Sequence, residues 1–276
     1  MWGDANDQRD PGAVFAEMFK RTIAALNDGL SVVYDATNLM AKTRKATLEQ
    51  IIKATKVPLR KKLVFIACSI PECKRRQKNR ERKVPDAVID RMAYRFEAPW
   101  YNEGWDNIWV SDGGEQYDID AEHERLLLEP HDNHHHSLTI GEHCVQCKAA
   151  MRRLFSNNHY LTDFSRRLME EVAYQHDLGK LVTKKFENRQ GQSTTEAHYY
   201  NHNNIGAYIW LSGNKKNYWV SFEFLLIGAL IQWHMQPYFS QEKSKEKFEQ
   251  WAIRKGFTKF FIEGAWLLHE CDLAAH

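Results

Sequence analysis

Between Leu30 and Asp112, short β-branched apolar runs alternate with stretches whose apolar residues recur at helical spacing. Leu30-Ser31-Val32-Val33-Tyr34 predicts a buried strand ending at Asp35, Lys42 to Thr55 a helix, and Leu63-Val64-Phe65-Ile66-Ala67-Cys68 a second strand. Glu72 to Lys83 predicts a basic helix, Pro85 opens another at its first turn, and Asn107 to Val110 predicts a third strand. Strand, helix and strand in this order imply a parallel sheet with right-handed crossovers. Residues 113–133, with Gly113, Gly114, many acids and Pro130, are expected to be a linker after which the strand pattern stops.

From Leu138 onward the pattern is helical, so an α/β part at 1–112 is expected to precede an all-α part at 134–276. Its apolar rows carry titratable residues in unusual places. His143, Cys147, Met151 and Leu154 form one row; Phe164, Leu168, Val172 and His176 another; Leu226, Leu230 and His234 a third; Phe261, Ala265, Leu268 and Asp272 a fourth. His198 and His202 are four apart and continue into Ile205 and Ile209. A single histidine on an apolar face is most often a satisfied core residue. Burying several imidazoles and carboxylates in one core is costly unless they are paired or hold a cation. His143, His176, Asp177, His202, His234 and Asp272 are therefore six candidate ligands, and nitrogen and oxygen donors suit iron, manganese, nickel, zinc or magnesium.

Composition narrows the rest. With 38 Lys+Arg against 36 Asp+Glu, the net charge of +2 excludes a basic coat, and 43% hydrophobic residues exclude a disordered chain. No apolar run approaches the roughly 18 residues of a spanning helix, and the first residues lack the basic and apolar regions of a leader, so a soluble, cytoplasmic protein is expected. Five cysteines are expected to stay reduced, and Cys144 and Cys147, a lone CxxC, do not make a zinc ribbon. Twelve of the 13 histidines lie at or after His131, which directs the search for chemistry to the C-terminal half.

There the motifs become specific. His176-Asp177 in Tyr-Gln-His-Asp-Leu-Gly-Lys, preceded by His143 in Ser-Leu-Thr-Ile-Gly-Glu-His and followed by Asp272 in Leu-Leu-His-Glu-Cys-Asp, resembles the HD-domain metal-dependent phosphohydrolase superfamily. Ala197 to Ala207 and Ile231 to His234 extend the resemblance toward binuclear members and the HD domains of tRNA nucleotidyltransferases. It implies that the carboxylate of Asp177 bridges two metals on one helix with His176, that His143, His176 and Asp272 complete one site, and that His202 and His234 hold a second. One or two divalent ions and a metal-activated hydroxide as nucleophile follow from it. Lys180 matches a lysine that meets substrate phosphate. His198 is open between a further ligand, a proton donor and a residue packed on His202, and is placed facing substrate; His136 and His269 are expected outside the ligand shell or at the surface.

A second resemblance covers the first hundred residues. Val33-Tyr34-Asp35-Ala36-Thr37-Asn38-Leu39, Arg44, Cys68-Ser69-Ile70-Pro71-Glu72 and the basic stretch with Arg75, Arg76, Arg80 and Arg82 before Val84-Pro85-Asp86 resemble the P-loop kinase family that includes phage polynucleotide 5′-kinase. It implies a lid in which Arg80, with Arg76 and Arg82, meets phosphate. No Gly-x-x-x-x-Gly-Lys-Ser/Thr occurs in the chain, and the family's first strand, P-loop and acid would precede Trp2. The kinase-like part is therefore expected to be a truncated, inactive remnant of an α/β P-loop domain, serving as a basic shelf or scaffold.

Together the two resemblances imply a metal-dependent phosphohydrolase acting on nucleic-acid ends, a 3′-phosphate or 2′,3′-cyclic phosphate, or on nucleotides. Hydrolysis of a free or signalling nucleotide and non-catalytic RNA binding are the alternatives. The expected partners are the nucleotide or RNA or DNA end, no membrane, and a second copy or another chain that completes the sheet.

Overall fold

The computed structural model describes residues 10–134, 137–156, 163–213, 221–239 and 244–275. Helix α1 (Pro11–Asn27) starts where Asp10 accepts a hydrogen bond from the Ala13 amide at 2.9 Å and Pro11 takes the first turn. Helix α2 (Ala41–Ala54) follows, then strand β1 (Lys62–Ala67), α3 (Ile70–Lys78) behind a Ser69 cap, and α4 (Asp86–Tyr94) opened by Pro85. Strand β2 (Asn107–Asp112) pairs parallel with β1, Lys62 opposite Asn107 through Ala67 opposite Asp112. This two-stranded parallel sheet with its helices is consistent with the expected α/β N-terminal region.

Two expectations for this region are corrected. Leu30–Tyr34 is not a strand: it runs without regular structure, and Val33 is 92% exposed. Its β-branched residues favour a strand, but strands exist through pairing, and among the described residues none pairs with it. The basic helix stops at Lys78, so Arg80 and Arg82 lie in the turn beyond α3. The turn at Asn38, whose φ is 43°, is pinned by Arg44: this buried guanidinium binds Glu103 at 2.6 and 2.7 Å and donates to the carbonyls of Asn38 and Leu39 at 2.9 Å.

The expected linker is a packed element. Residues 113–133 contain α5 (Ile119–Leu128), capped by Asp118, which buries Ile119, His123 and Leu126. It lies so close to α6 (Ile140–Ser156) that a Cβ on Gly141 would meet the Leu127 backbone nitrogen at 2.5 Å. Acids at 113–133 mark the outer face of a helix rather than a solvated connector.

The C-terminal half continues with α7 (Asp163–Gln175), α8 (Lys180–Thr183), α9 (His202–Leu211), α10 (Ser221–Trp233), α11 (Gln236–Phe239), α12 (Lys245–Arg254) and α13 (Lys259–Leu273). It is not all-α: β3 (Lys185–Glu187) and β4 (Ser193–His198) form an antiparallel hairpin, Lys185 opposite His198. The Asn188 side chain closes its turn by accepting from the amides of Gln190 and Gln192, both at 3.0 Å, and Gly191 takes a φ of 78°. Helix α10 is central; Leu225 to Ile227 and Ala229 to Ile231 are all buried.

One hydrophobic core runs from Ile70, Phe96 and Ile108 through Met151, Leu168 and Ile209 to Phe261 and Leu268. A polar link crosses it: the Gln232 side chain accepts from the Ala98 amide at 3.1 Å and donates to Asn204, which donates to the Tyr94 carbonyl at 3.1 Å. The end of α10 and the start of α9 are thereby tied to the segment that follows α4.

Candidate metal centre

Six side chains from separate elements converge. His143 stands on α6 and Asp272 on α13; His202 is the first residue of α9; His176 and Asp177 occupy the turn between α7 and α8; His234 directly follows α10. Two sequence expectations shift here. His176 and Asp177 do not sit within one helix, and His198 is not on the helix of His202, because Asn201 at φ 60° turns the chain between them.

The turn positions set the imidazole chemistry. The last carbonyls of a helix have no partner within it. His176 Nδ1 lies 2.9 Å from the Ala173 carbonyl and His234 Nδ1 2.7 Å from that of Ile231, each three residues back; His202 Nδ1 is 2.8 Å from the Tyr199 carbonyl. A carbonyl only accepts, so each Nδ1 carries a proton and Nε2 is the ring atom turned to the centre. His176 Nε2 is buried without a hydrogen-bond partner.

The carboxylate of Asp177 stands between two groups. Its Oδ2 is 3.4 Å from His176 Nε2 and 3.8 Å from His143 Nε2, and Asp272 Oδ1 is 2.8 Å from His143 Nε2 and 3.5 Å from His176 Nε2. Its Oδ1 is 3.5 Å from His202 Nε2 and 4.0 Å from His234 Nε2, while those two nitrogens stand 3.1 Å apart. Two donor atoms about 2.0 to 2.2 Å from a common ion stand at most about 4.4 Å apart, and the distances of 2.8 to 4.0 Å within the two groups, His143 with His176 and Asp272, and Asp177 with His202 and His234, lie inside that reach.

The electrostatics are consistent with that donor set. Burial opposes ionisation of Asp177, but Lys180, His176 and His202 hold its carboxyl well below the ordinary range; burial likewise opposes Asp272, which His143 and His176 hold low. Burial pushes His234 down to about 3, with the fields of His202 and His176 adding to it, and lowers His202 as well. For His176 burial is outweighed by Asp177 and Asp272, which carry it up to about 9, so without a cation its Nε2 holds a proton facing the two carboxylates, in the place a metal ion would take.

Two contributors, Tyr238 and His131, were not singled out from sequence. Tyr238 donates to Asp272 Oδ2 at 2.7 Å and so turns Oδ1 toward the histidines. His131, almost wholly buried, holds the Leu138 carbonyl at 2.9 Å through Nδ1 and meets Lys180 Nζ at 3.3 Å through Nε2. Cys144 forms a further grouping with His176 and Asp177. Burial raises its thiol well above the ordinary range, which leaves it a neutral neighbour. Only the clustering of histidines after residue 131 hinted at His131; nothing local marked Tyr238.

Lys180 lies 2.7 Å from Asp177 Oδ2, its stem buried and its ammonium 5.3 Å from the Tyr199 ring centre. His198 stacks on Tyr200 and belongs to neither three-residue group. His269 is buried, edge-on to Tyr238, so the surface alternative does not hold for it; His136 lies outside the described residues. In the N-terminal part, Arg76 is held by buried Glu72 at 2.7 Å and packs against the Gly113–Gly114 turn, whereas Arg80 and Arg82 are exposed. Ala36 to Asn38 border a groove of about 590 Å³ that also contains Tyr34, Phe19 and Arg95.

No curated protein matches the chain. Residues 3–99, about a third of it, match the family model of an AAA domain, here of P-loop kinase-like type.

Proposed function

We propose that the histidine and aspartate cluster binds one or two divalent metals and hydrolyses phosphate esters of nucleotides or nucleic-acid ends. The observation that carries this is the pairing of inward lone pairs with a carboxylate that reaches both groups: His202 and His234 Nε2 at 3.1 Å, and Asp177 with one oxygen toward each set. Without a cation, the facing lone pairs of His202 and His234 are a cost that a buried core does not retain freely. When bound, the metals activate water and draw charge from a phosphoryl oxygen.

The chain's own residues do the rest. Main-chain carbonyls at Ala173, Tyr199 and Ile231 orient the imidazoles, and Tyr238 orients Asp272. Lys180 offers an ammonium at the edge of the centre, steered by Asp177 and His131, to a substrate phosphate. No serine, cysteine or threonine nucleophile is needed. The kinase-like match at residues 3–99 favours a nucleotide or nucleic acid as substrate.

The test is metal analysis of protein purified without chelator, together with phosphate release from 3′-phosphorylated and 2′,3′-cyclic-phosphate oligonucleotides and free nucleotides. Stoichiometric metal and metal-dependent release are expected. Metal-free protein that no divalent ion activates on any of these would overturn the proposal.

A further inference from the structure

The β3–β4 hairpin is inserted between two residues of the metal centre: Lys180 opens the short helix before it and His202 the helix after it. Its second strand leads into three consecutive rings, His198, Tyr199 and Tyr200. Successive side chains of an extended chain face opposite sides. Tyr199 turns inward, donating to the His131 carbonyl, lying against the Lys180 ammonium and holding His202 through its own carbonyl. His198 and Tyr200 turn the other way and stack, with ring centres 5.3 Å apart and planes 9° from parallel. The guanidinium of Arg189, from the hairpin turn, lies 5.1 Å from the centre of the Tyr200 ring. Arg189 is exposed, and among the described residues it forms no ion pair, although Glu187 stands two residues away.

We propose that Arg189, His198 and Tyr200 form a stacking platform for the nucleobase next to the phosphate that enters the metal centre. The inference rests on the proposed phosphohydrolase reading and names what its site recognises beyond phosphate. Two stacked rings and a guanidinium at the rim select a flat, π-rich group, and such stacking tolerates any base. Tyr199, which lies between the two platform rings in sequence, touches Lys180 and His202, so a ligand that stacks on the platform has its phosphate at the edge of the centre. That ligand is a phosphorylated nucleoside, either free or at the end of a strand.

The test uses the full chain stripped of metal, so that no probe is turned over, and the variants Tyr200→Ala, Tyr200→Phe and Arg189→Ala. Probes are a fluorescently labelled 3′-phosphorylated oligoribonucleotide, the same strand with an abasic 3′ end, a nucleoside monophosphate and ribose 5-phosphate. Fluorescence anisotropy for the strands and competition for the small esters give affinities without turnover. The wild type is expected to bind each base-bearing probe more tightly than its base-less counterpart. Tyr200→Ala is expected to erase about five- to hundredfold of that preference, Tyr200→Phe to restore it, and Arg189→Ala to lose part of it. A preference confined to the strands assigns the base to a nucleic-acid end; one shared by the monophosphate assigns it to nucleotides. Equal affinity of the wild type for base-bearing and base-less probes, or a preference untouched by Tyr200→Ala, overturns the platform. Because binding is read without hydrolysis, an inactive protein that still discriminates sinks the hydrolase reading and keeps the platform.

Discussion

His202 Nε2 and His234 Nε2 face each other at 3.1 Å, and neither ring has a proton to place between them, since each Nδ1–H is already given to a main-chain carbonyl. Burial keeps both rings neutral, so two lone pairs are held together in the core. Asp177 Oδ1 closes this group while Oδ2 serves the other.

Asp177→Ala is therefore expected to remove all bound metal, and His234→Ala only the part shared with His202. Inductively coupled plasma mass spectrometry of chelator-free protein reads the two stoichiometries. Complete loss in His234→Ala would show that a single ion serves both groups.

Lys180→Ala is expected to keep its metal, because a charged ammonium does not ligate, and to lower kcat/KM on phosphate esters by about 10- to 100-fold, the worth of a charge-assisted hydrogen bond of roughly 1.5 to 3 kcal/mol. Metal loss equal to that of Asp177→Ala would refute the separate role.

Gly179 sits where the Asp177 turn meets α9: a Cβ there would stand 1.9 Å from the His202 carbonyl oxygen and 2.6 Å from the Gly206 nitrogen. Backbone on both sides cannot give way as a side chain would. Gly179→Ala is expected to cost about 3 kcal/mol or more in urea unfolding and to separate His202 from Asp177, with metal lost from that group. Wild-type stability and metal content would contradict this packing.

His123 lies outside the centre, buried against the Tyr174 ring at 3.5 Å between centres, and burial, aided by the fields of Lys148 and His176, lowers it to about 4. The unfolded chain, with a pKa of about 6.5, binds this proton first as pH falls. Its contribution to stability is complete above that value and is lost as pH falls from about 6.5 through 4, by roughly 3 kcal/mol in all. His123→Leu is expected to flatten the difference in unfolding free energy between pH 7.5 and 4.5 by that order, in metal-free protein. An unchanged pH slope would show that the folded ring takes up its proton as readily as the unfolded one.

ATP is expected not to bind tightly, and no γ-phosphate transfer is expected, since lid arginines act only on a phosphate already gripped by a P-loop. Exposed Arg80 and Arg82 should instead contribute salt-sensitive affinity for polyanions. Calorimetry with ATP and a 5′-hydroxyl phosphorylation assay check this, and robust labelling of the oligonucleotide would overturn it.

The sequence by itself determined what is local. The helix expected at Lys42 to Thr55 stands at Ala41–Ala54, the strand at Leu63 to Cys68 stands at Lys62–Ala67, and Pro85 opens α4, because apolar period, caps and proline geometry act within a few residues. His143, His176, His234 and Asp272 were legible for the same reason, as polar interruptions of apolar rows, while His202 was marked by its spacing to Ile205 and Ile209 and Asp177 by its place beside His176. Tertiary structure decided the rest. Leu30–Tyr34 has strand composition but no strand partner among the described residues, and residues 113–133 have linker composition but an apolar side that α6 covers. His131 and Tyr238 enter the centre, and His198 leaves it, through contacts with residues 34 or more positions away or through one left-handed residue at Asn201. The direction of each lone pair depends on carbonyls left open where helices end, and those ends are set by packing rather than by composition.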